Sequence, residues 1–456
     1  MQKCPIHGFF SDQNIMQLAE QLRNGKLTSI QITLASLETI QQFNSQVNAF
    51  CFVDRDFAIK QAEHADNLFA QGIDHGLLQG IPIAIKDNIK TANMPTTMGS
   101  AFYKDYIPTE NADCVELLKH AGAIIIGKTN THEFAYGPTG DCSFFGATKN
   151  PWNTKKISGG SSCGSAVAVA TGMVPIAIGT DTGGSIRIPA SLTGIIGFKP
   201  SYRSFSTLGV FPLSQTLDHL GILAKNVEDI KIVFDILKNP SVKTQSTNDQ
   251  EVKPKAAWIA IEQITHQFDS SHYQNIKEKA FELFGHHLEN IAIDLSSIFS
   301  EISNCFTAIQ NAEAYRIHQK NIETNPELFQ TEVLERLYNA KHTSGWAYLE
   351  AMSLREKFQF TLSEVFQHYE FLIMPTIAIP TTDLDQRYIY CDNHQINVRN
   401  ALLSLTSPWN VLGFPACNIP IMLSNDNMPL GLQIVANNND DAKLIEFMQL
   451  LNTDMC

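Results

Sequence analysis

Two glycine-rich segments of this chain carry serines in a pattern that could perform chemistry. The first reads SGGSSCGS over residues 158–165, and the second reads GTDTGGSIR over residues 179–187. Because glycine permits sharp backbone angles and close approach of a ligand to the main chain, the second segment predicts successive N–H groups that point into one cavity. These groups belong to Thr182, Gly183, Gly184 and Ser185. Such a cluster would stabilise a bound anion or the oxyanion of acyl transfer, with Ser185 as the candidate nucleophile.

A serine nucleophile needs a base that removes its proton, and the sequence offers two kinds of candidate. His132 and His219 lie outside both glycine-rich segments, and folding could bring either of them near. Lys86 follows the apolar run IPIAI. Burial of that strand would lower the pKa of Lys86 and make the neutral amine a competent base. The local pattern alone favours a lysine that reaches solvent at a strand edge, so it leaves the identity of the base open.

The segments around these residues alternate between helices and apolar strands. Residues 27–72 have a helical pattern, and ADCVELLKHAGAIIIGKTN is typical of a helix, a turn and a buried strand. SAVAVATG predicts a helix and MVPIAIGTD another buried strand, residues 240–254 resemble a surface linker, and residues 265–370 are mainly helical by pattern. EFLIMPTIAIP and PLGLQIVANN predict strands that return to the first sheet. We therefore expect an α/β fold with a mixed, largely central β-sheet sandwiched by helices.

Composition and charge argue against several classes of function. The chain has 456 residues, a net charge of −13 and no run rich in Lys and Arg, so direct nucleic-acid binding is not expected. The nine cysteines include no CxxC pair, which favours free thiols in a reducing compartment over disulfides or a zinc site. The N-terminal MQKCPIHGFFSDQN lacks a signal-peptide core, and apolar stretches are interrupted before they reach a membrane-spanning length. These features predict a soluble, cytoplasmic protein with no membrane contact.

Residues 158–200 resemble the amidase signature family along their whole length. The family run reads GGSSGGS, then GTDTGGSIR, then G-x-KP, and this chain carries GGSSCGS, GTDTGGSIR and GFKP in that order. IPIAIKDN resembles the family's lysine strand, and NPWN, TLDHLGILAKNVEDI, GFPACNIP and MPLGLQI resemble further family blocks. We expect one amidase-like domain over residues 1–456 with its signature core at 78–230. Residues 240–370 would form a mainly helical, variable insertion, and residues 371–456 would return to the core sheet.

The resemblance implies a Ser–Ser–Lys triad. By position, Ser185 is the nucleophile that forms the acyl-enzyme, Ser161 is the bridging serine and Lys86 is the base. The family pattern also implies a cis peptide bond at the bridging serine, and it requires neither a metal nor an organic cofactor. The other serines of the first segment are expected to make loop or helix-capping hydrogen bonds: Ser158, Ser162 and Ser165.

Further residues within the family blocks have structural or functional interpretations. Arg187 could bind a substrate carboxylate, although a structural salt bridge is favoured. Asp218 and His219 are expected to form a structural hydrogen-bond pair. Tyr136 lies in HEFAYGPTG, which resembles a substrate-facing part of the family, so it could contact the substrate or pack in the core. Cys163 stands where the family has glycine, and a thiol nucleophile is disfavoured because the nucleophile's position by spacing lies in the second segment.

The leading functional prediction is an amidohydrolase that cleaves a carbon–nitrogen amide bond through a seryl acyl-enzyme. It would release ammonia or an amine from a small or medium amide, its small-molecule partner. One alternative is the glutamine-hydrolysing subunit of an aminoacyl-tRNA amidotransferase, because the same triad would supply ammonia to a partner protein. Another alternative is a non-catalytic binding subunit, against which the intact triad argues. Assembly as a homodimer or with a partner subunit is compatible with each of these predictions.

Overall fold

The computed structural model of this chain describes residues 3–240 and 255–455. Fourteen α-helices occur in the described residues: α1 (Ile15–Arg23), α2 (Ser29–Val47), α3 (Arg55–Ala70), α4 (Asp113–His120), α5 (Cys163–Ala170), α6 (Arg187–Thr193), α7 (Val227–Leu237), α8 (Ser270–Phe284), α9 (Ser296–Thr324), α10 (Thr331–Ala340), α11 (Gly345–Val365), α12 (Val398–Ser404), α13 (Ser407–Leu412) and α14 (Asp441–Met455). The strands of the same residues are β1 (Phe50–Val53), β2 (Pro82–Lys86), β3 (Ile124–Thr129), β4 (Lys149–Asn150), β5 (Asn153–Ile157), β6 (Ile176–Asp181), β7 (Ile196–Lys199), β8 (His219–Ala224), β9 (Ala256–Trp258), β10 (Leu288–Asn290), β11 (Phe371–Pro375), β12 (Tyr388–Cys391), β13 (His394–Asn397), β14 (Ala416–Leu423) and β15 (Pro429–Val435).

Eleven of these strands form one mixed sheet in the order β1-β3-β2-β6-β8-β7-β14-β15-β11-β9-β10. Strand β2 runs parallel to both of its neighbours, β3 and β6. The carboxyl ends of β2 and β6 therefore lie at the same edge of the sheet, and these ends are Lys86 and Asp181. Ligand sites in α/β sheets commonly form beyond the carboxyl ends of parallel strands, so this edge is where a site is expected.

Alternate side chains of the central strands pack into two different hydrophobic cores. On β2, Ile83 and Ile85 belong to one core, whereas Ala84 belongs to the other. Successive residues of a strand point to opposite faces, so both faces of the sheet are covered. Helix α7 contributes to the first core, and helix α5 contributes to the second. The predicted α/β fold, with a large mixed sheet between helices, is confirmed.

Most of the predicted elements are present, and the differences concern short strands. The helical pattern of residues 27–72 is interrupted by β1, which pairs antiparallel with β3. Residues 265–370 are mainly helical as predicted, since they contain α8 to α11. The strands predicted at residues 370–380 and 429–438 correspond to β11 and β15, and both pair within the central sheet. Almost all of the predicted linker at 240–254 lies outside the described residues.

Membrane-spanning helices and clustered metal ligands are both missing from the described part of the chain. Along residues 3–240 and 255–455, no helix combines the length and apolar character needed to cross a membrane. The same stretches contain no group of three or more His, Cys, Asp or Glu side chains arranged to hold a metal ion.

Candidate active site

Lys86 is the last residue of β2, and its side chain is completely buried at the site edge of the sheet. Its Nζ donates hydrogen bonds to Ser161 Oγ at 2.8 Å and to Thr180 Oγ1 at 2.7 Å. Burial lowers the pKa of Lys86 to about 7, and electrostatic attraction from the carboxyl groups of Asp181 and Asp218 only partly opposes this. The amine is therefore substantially neutral near physiological pH and can accept a proton.

Hydrogen bonds to the backbone of Ser161 hold the loop that carries this residue. The peptide bond between Gly160 and Ser161 is cis, as the family resemblance implies. The Ser161 carbonyl accepts hydrogen bonds from Thr131 Oγ1 at 3.0 Å and from the His132 N–H at 3.2 Å. Gly159 has a φ of +77° and lies so close to Pro189 that a Cβ atom would be 2.8 Å from the proline Cα. A side chain at this glycine would therefore disturb the loop.

The remaining serines of the first segment are structural, as predicted. Ser162 Oγ donates to the Thr180 carbonyl at 3.0 Å and accepts from the Thr180 N–H at 3.2 Å. Ser158 Oγ donates to the Thr148 carbonyl at 2.8 Å, and Ser165 Oγ bonds the carbonyl of Ile178 at 3.2 Å. These hydroxyls tie the glycine loop and the start of α5 to neighbouring segments, which leaves Ser161 as the hydroxyl of this loop in contact with Lys86.

Ser185 lies beside this loop and lines a small cavity. Its carbonyl accepts a hydrogen bond from the Ser162 N–H at 3.2 Å, which brings the two glycine segments together. The residue retains 6% exposure. Thr182, Gly183 and Tyr136 line the same cavity. A hydrogen bond connects the side chains of Lys86 and Ser161, whereas none joins the hydroxyls of Ser161 and Ser185.

The N–H of Gly184 has a different role from the predicted one. It donates to Asp181 Oδ1 at 2.7 Å, and the N–H of Ile186 donates to Asp181 Oδ2 at 3.0 Å. These bonds shape the turn between β6 and α6, so the Gly184 donor is occupied within the loop. In the described part of the chain, no acceptor engages the N–H of Gly183 or of Ser185. These two donors remain available to a carbonyl oxygen in the cavity.

The two histidines considered as bases have other environments. The buried ring of His219 pairs through Nδ1 with the carbonyl of Leu217 at 2.7 Å. The expected hydrogen-bond pair between Asp218 and His219 is wrong, because Asp218 instead accepts from Thr182 Oγ1 at 2.6 Å and from backbone N–H groups. Burial also holds the pKa of His132 well below its usual range. Of the candidate bases, Lys86 is the one whose side chain contacts the Ser161 hydroxyl, whereas His132 reaches Ser161 only through its backbone N–H.

Cys163 is the first residue of α5 and lies near the site without lining its cavity. Its side chain is completely buried, and its Sγ lies 3.4 Å from the carbonyl oxygen of Asn130. Burial raises the pKa of this thiol, so it remains protonated at neutral pH. A protonated thiol is a weak nucleophile, which is consistent with the assignment of that role to the second segment.

Arg187 forms the predicted buried salt bridge. Its Nη2 lies 2.9 Å from Asp181 Oδ1 and its Nε lies 3.1 Å from Asp181 Oδ2, and neither side chain is exposed. Arg187 also donates to Asn410 Oδ1 and to Gln433 Oε1. This network holds the pKa of Asp181 low and joins the turn that carries Ser185 to α13 and β15.

We expect the substitution Arg187→Met to lower the free energy of unfolding by about 3–5 kcal/mol, because it leaves Asp181 charged, buried and without its guanidinium. Chemical denaturation monitored by circular dichroism would measure this loss. Lys231→Met is a suitable control, since Lys231 pairs with Asp235 at the surface and such a pair contributes about 0.5 kcal/mol or less. Equal losses in the two variants would contradict the proposed importance of the buried network.

A larger cavity of about 390 Å³ adjoins the one beside Ser185. The two cavities share the side chains of Tyr136, Gln310, Arg399 and Leu403. Tyr136 therefore lines the site, and its hydroxyl donates to Asn311 Oδ1 at 3.2 Å. Sequence reasoning missed Gln310 and Arg399, because no motif marks their segments.

Thr180 is a further residue of the site that sequence reasoning missed. Its hydroxyl accepts hydrogen bonds from Lys86 Nζ and, at 3.2 Å, from Asn88 Nδ2. Thr180 and Asn88 belong to the motifs GTDTGGSIR and IPIAIKDN, respectively. The motifs could have indicated them, but only the fold shows that Thr180 lies against Lys86 and that Asn88 lies against the Thr180 hydroxyl.

Comparison with known proteins places this architecture in a family. The family model described as Amidase matches residues 31–445. The chain is 30% identical to one glutamyl-tRNA(Gln) amidotransferase subunit, from Natranaerobius thermophilus, over 95% of this chain and 93% of that protein. It is 29% identical to a solved amidase, with a TM-score of 0.88 over 97% of this chain and 100% of that chain. The chain is also 26% identical to a protein in a solved structure, with a TM-score of 0.89 over 97% of this chain and 99% of that chain. That structure is described as a vestigial protein complex that reveals the evolutionary origins of an s-triazine catabolic enzyme.

The matched region contains the whole candidate site, from Lys86 through the two glycine-rich segments to Arg399. The sequence motifs, the fold and the full-length relatives therefore agree. This chain belongs to the amidase family and is an enzyme that acts on carbon–nitrogen bonds other than peptide bonds.

Proposed function

We propose that this protein hydrolyses an amide through a seryl acyl-enzyme formed on Ser185, with Ser161 as proton relay and Lys86 as base. The observation that carries the proposal is the 2.8 Å hydrogen bond from buried Lys86 to Ser161, in a loop that is itself bonded to the backbone of Ser185. A buried amine with a pKa of about 7 suits a general base, because catalysis is most efficient when this pKa lies near the working pH.

In the first half of the reaction, Ser185 Oγ attacks the carbonyl carbon of the amide. The Ser185 proton passes to Ser161 as Ser161 transfers its own proton to the neutral amine of Lys86. The tetrahedral oxyanion accepts hydrogen bonds from the N–H groups of Gly183 and Ser185, each typically worth about 2.7–4 kcal/mol in acyl transfer. The carbon–nitrogen bond then breaks, and the leaving nitrogen takes the proton back from Lys86 through Ser161.

In the second half, water attacks the ester between the acyl group and Ser185. Lys86 accepts the proton of this water through Ser161, and the proton returns to Ser185 as the ester bond breaks. The products are a carboxylic acid and the ammonia or amine released in the first half. Every proton transferred in this sequence is carried by the three side chains, which return to their starting states.

A second candidate function is glutamine hydrolysis that supplies ammonia to a partner protein. Its support is the full-length match to the glutamyl-tRNA(Gln) amidotransferase subunit from Natranaerobius thermophilus, and relatives from other organisms have the same name. These curated relatives favour this alternative over hydrolysis of an unrelated small amide. The same three side chains would serve both functions, so the two differ in substrate and partner rather than in mechanism.

Two experiments test the proposal: covalent labelling of Ser185 and assays of amide hydrolysis. We expect a fluorophosphonate probe to modify Ser185 in the wild-type protein, as located by peptide mass spectrometry. An amide panel that includes glutamine, with ammonia release as the readout, would then separate the two candidates. Glutaminase activity that requires an added partner protein would support the second one. The absence of labelling would contradict both and would favour a non-catalytic binding subunit.

A further inference from the structure

Arg399 presents an unneutralised guanidinium to the cavity beside the nucleophile. It is the second residue of α12, is half-buried, and lines both the small cavity that contains Ser185 and the adjoining larger one. Its Nη2 donates to Gln310 Oε1 at 3.3 Å. Among the described residues, its buried Nε has no hydrogen-bond partner, and no carboxylate forms an ion pair with its guanidinium. A guanidinium in this situation lacks the anion that usually accompanies a buried charge.

A second guanidinium increases the positive potential of the same space. Arg336 of α10 lines the larger cavity, forms an ion pair with Glu332 and donates to the carbonyl of Tyr136. Burial, followed by repulsion from Arg399, lowers the pKa of Arg336 to about 9. Glu332 lines neither cavity and pairs with both Arg336 and Arg387, and Arg387 also pairs with Asp141. Of the two cavity arginines, Arg399 is therefore the one that has no carboxylate partner among the described residues.

The walls of the two cavities contain no opposing acid. Among the described residues that line either cavity, every charged side chain is an arginine, and the remaining polar ones are amides, hydroxyls or peptide groups. Gln310, Tyr136 and Leu403 complete the wall that the two cavities share. An ammonium group in this space would therefore meet positive charge without a carboxylate partner, whereas a carboxylate would be attracted.

We propose that the substrate is an amide whose acyl portion carries a carboxylate but no ammonium group, and that Arg399 binds this carboxylate while Ser185 attacks the amide. This inference rests on the proposed function and specifies its substrate class. A guanidinium can bind a carboxylate through two parallel hydrogen bonds, which would also supply the partner that Arg399 Nε lacks. Gln310 orients Arg399 toward the cavity. Free glutamine carries the required carboxylate, but it also carries an ammonium group, and no acidic side chain lines the cavities to pair with that group.

The first test compares kcat/KM for amides that differ in charge. The panel contains the anionic monoamides malonamate, succinamate and glutaramate, together with neutral pentanamide, zwitterionic glutamine and cationic 5-aminopentanamide. We expect the best anionic amide to exceed pentanamide by about 10–100-fold, the range for a hydrogen-bonded charged group, and to exceed glutamine as well. If glutamine were the best substrate, or if neutral and anionic amides were equal, this inference would be wrong while the proposed amidase function would stand.

Removal of the Arg399 guanidinium tests the carboxylate site directly, and a second arginine provides the matched control. Arg399→Gln should lower kcat/KM for the anionic amide by about 10–100-fold and should change that for pentanamide by less than about threefold. Arg316→Gln serves as the control, because Arg316 is an exposed arginine that lines neither cavity but likewise donates to one glutamine amide, Gln215 Oε1, at 3.3 Å. If Arg399→Gln lowered kcat/KM equally for the anionic amide and for pentanamide, Arg399 would have a structural role and the inference would be overturned.

A binding measurement separates failure of the inference from failure of the proposed function. Calorimetry with the Ser185→Ala variant requires no turnover, so it reports on the pocket alone. We expect glutaramate or succinamate to bind at least about tenfold more tightly than pentanamide or glutamine, and Arg399→Gln to remove this difference. If Ser185→Ala fails to fold, protection of wild-type Ser185 against fluorophosphonate labelling by the same amides would replace calorimetry. Equal binding of all the amides would refute the carboxylate site.

Discussion

Ser185→Ala is expected to lose amide hydrolysis by about 10⁴–10⁶-fold, the range observed when members of a hydrolase triad are removed. The substitution deletes the oxygen that would become covalently bonded to the acyl group, and no neighbouring serine of the first segment takes its place, since Ser161 and Ser162 are committed to Lys86 and Thr180. The measurement is the initial rate of ammonia release, together with the loss of fluorophosphonate labelling.

The fold should survive this substitution. Ser185 is held through its carbonyl, which bonds the Ser162 N–H, and alanine preserves that bond. Ser191→Ala is the matched control, because Ser191 is a fully buried serine of α6 whose hydroxyl has no partner among the described residues. We expect the control to retain wild-type activity. Substantial activity in Ser185→Ala, with unchanged circular dichroism, would remove Ser185 from the mechanism.

Lys86→Met is the second substitution with a large expected effect. Loss of a general base typically reduces the rate by about 10²–10⁴-fold. The wild-type rate should rise with pH through about 7, because only the neutral amine can accept the relayed proton. This inflection should be absent from the residual activity of Lys86→Met. The measurement is kcat/KM against pH for both proteins.

A neighbouring carboxyl provides the control for this pH profile. Burial raises the pKa of Asp218 to about 7 as well, and this side chain accepts a hydrogen bond from Thr182. Asp218→Asn should retain the inflection if Lys86 is its origin. Disappearance of the inflection in Asp218→Asn, and its persistence in Lys86→Met, would assign the titration to the carboxyl and would contradict the proposed base.

Lys86 should also affect stability in a pH-dependent way. Its pKa falls from 10.5 to about 7 on folding, so between these values the unfolded chain binds a proton that the folded chain lacks. The contribution of Lys86 to the free energy of unfolding therefore increases with pH across this window, by up to about 1.4 kcal/mol per pH unit. Urea denaturation should show that the stability advantage of Lys86→Met over the wild type is greatest below pH 7 and declines toward pH 10.5. A constant difference would indicate that the pKa is not shifted.

The sequence by itself determined the fold class, the family and the positions of the candidate triad. Apolar runs such as residues 81–85 predict buried strands because their periodicity and composition are local properties. The two glycine-rich segments are similarly readable, since loop geometry and hydroxyl chemistry depend on adjacent residues. The buried partner of Arg187 could also be anticipated, because Asp181 lies within the same motif.

Only the tertiary structure decided how distant side chains combine around those motifs. Sheet order places Thr180 of β6 against Lys86 of β2, and the turn after β6 uses the Gly184 N–H for Asp181 rather than for a ligand. Arg399 reaches the cavity beside Ser185 from α12, a segment without any recognisable motif. These contacts depend on strand pairing and packing between segments far apart in the chain, and local residue patterns contain no information about which such segments meet.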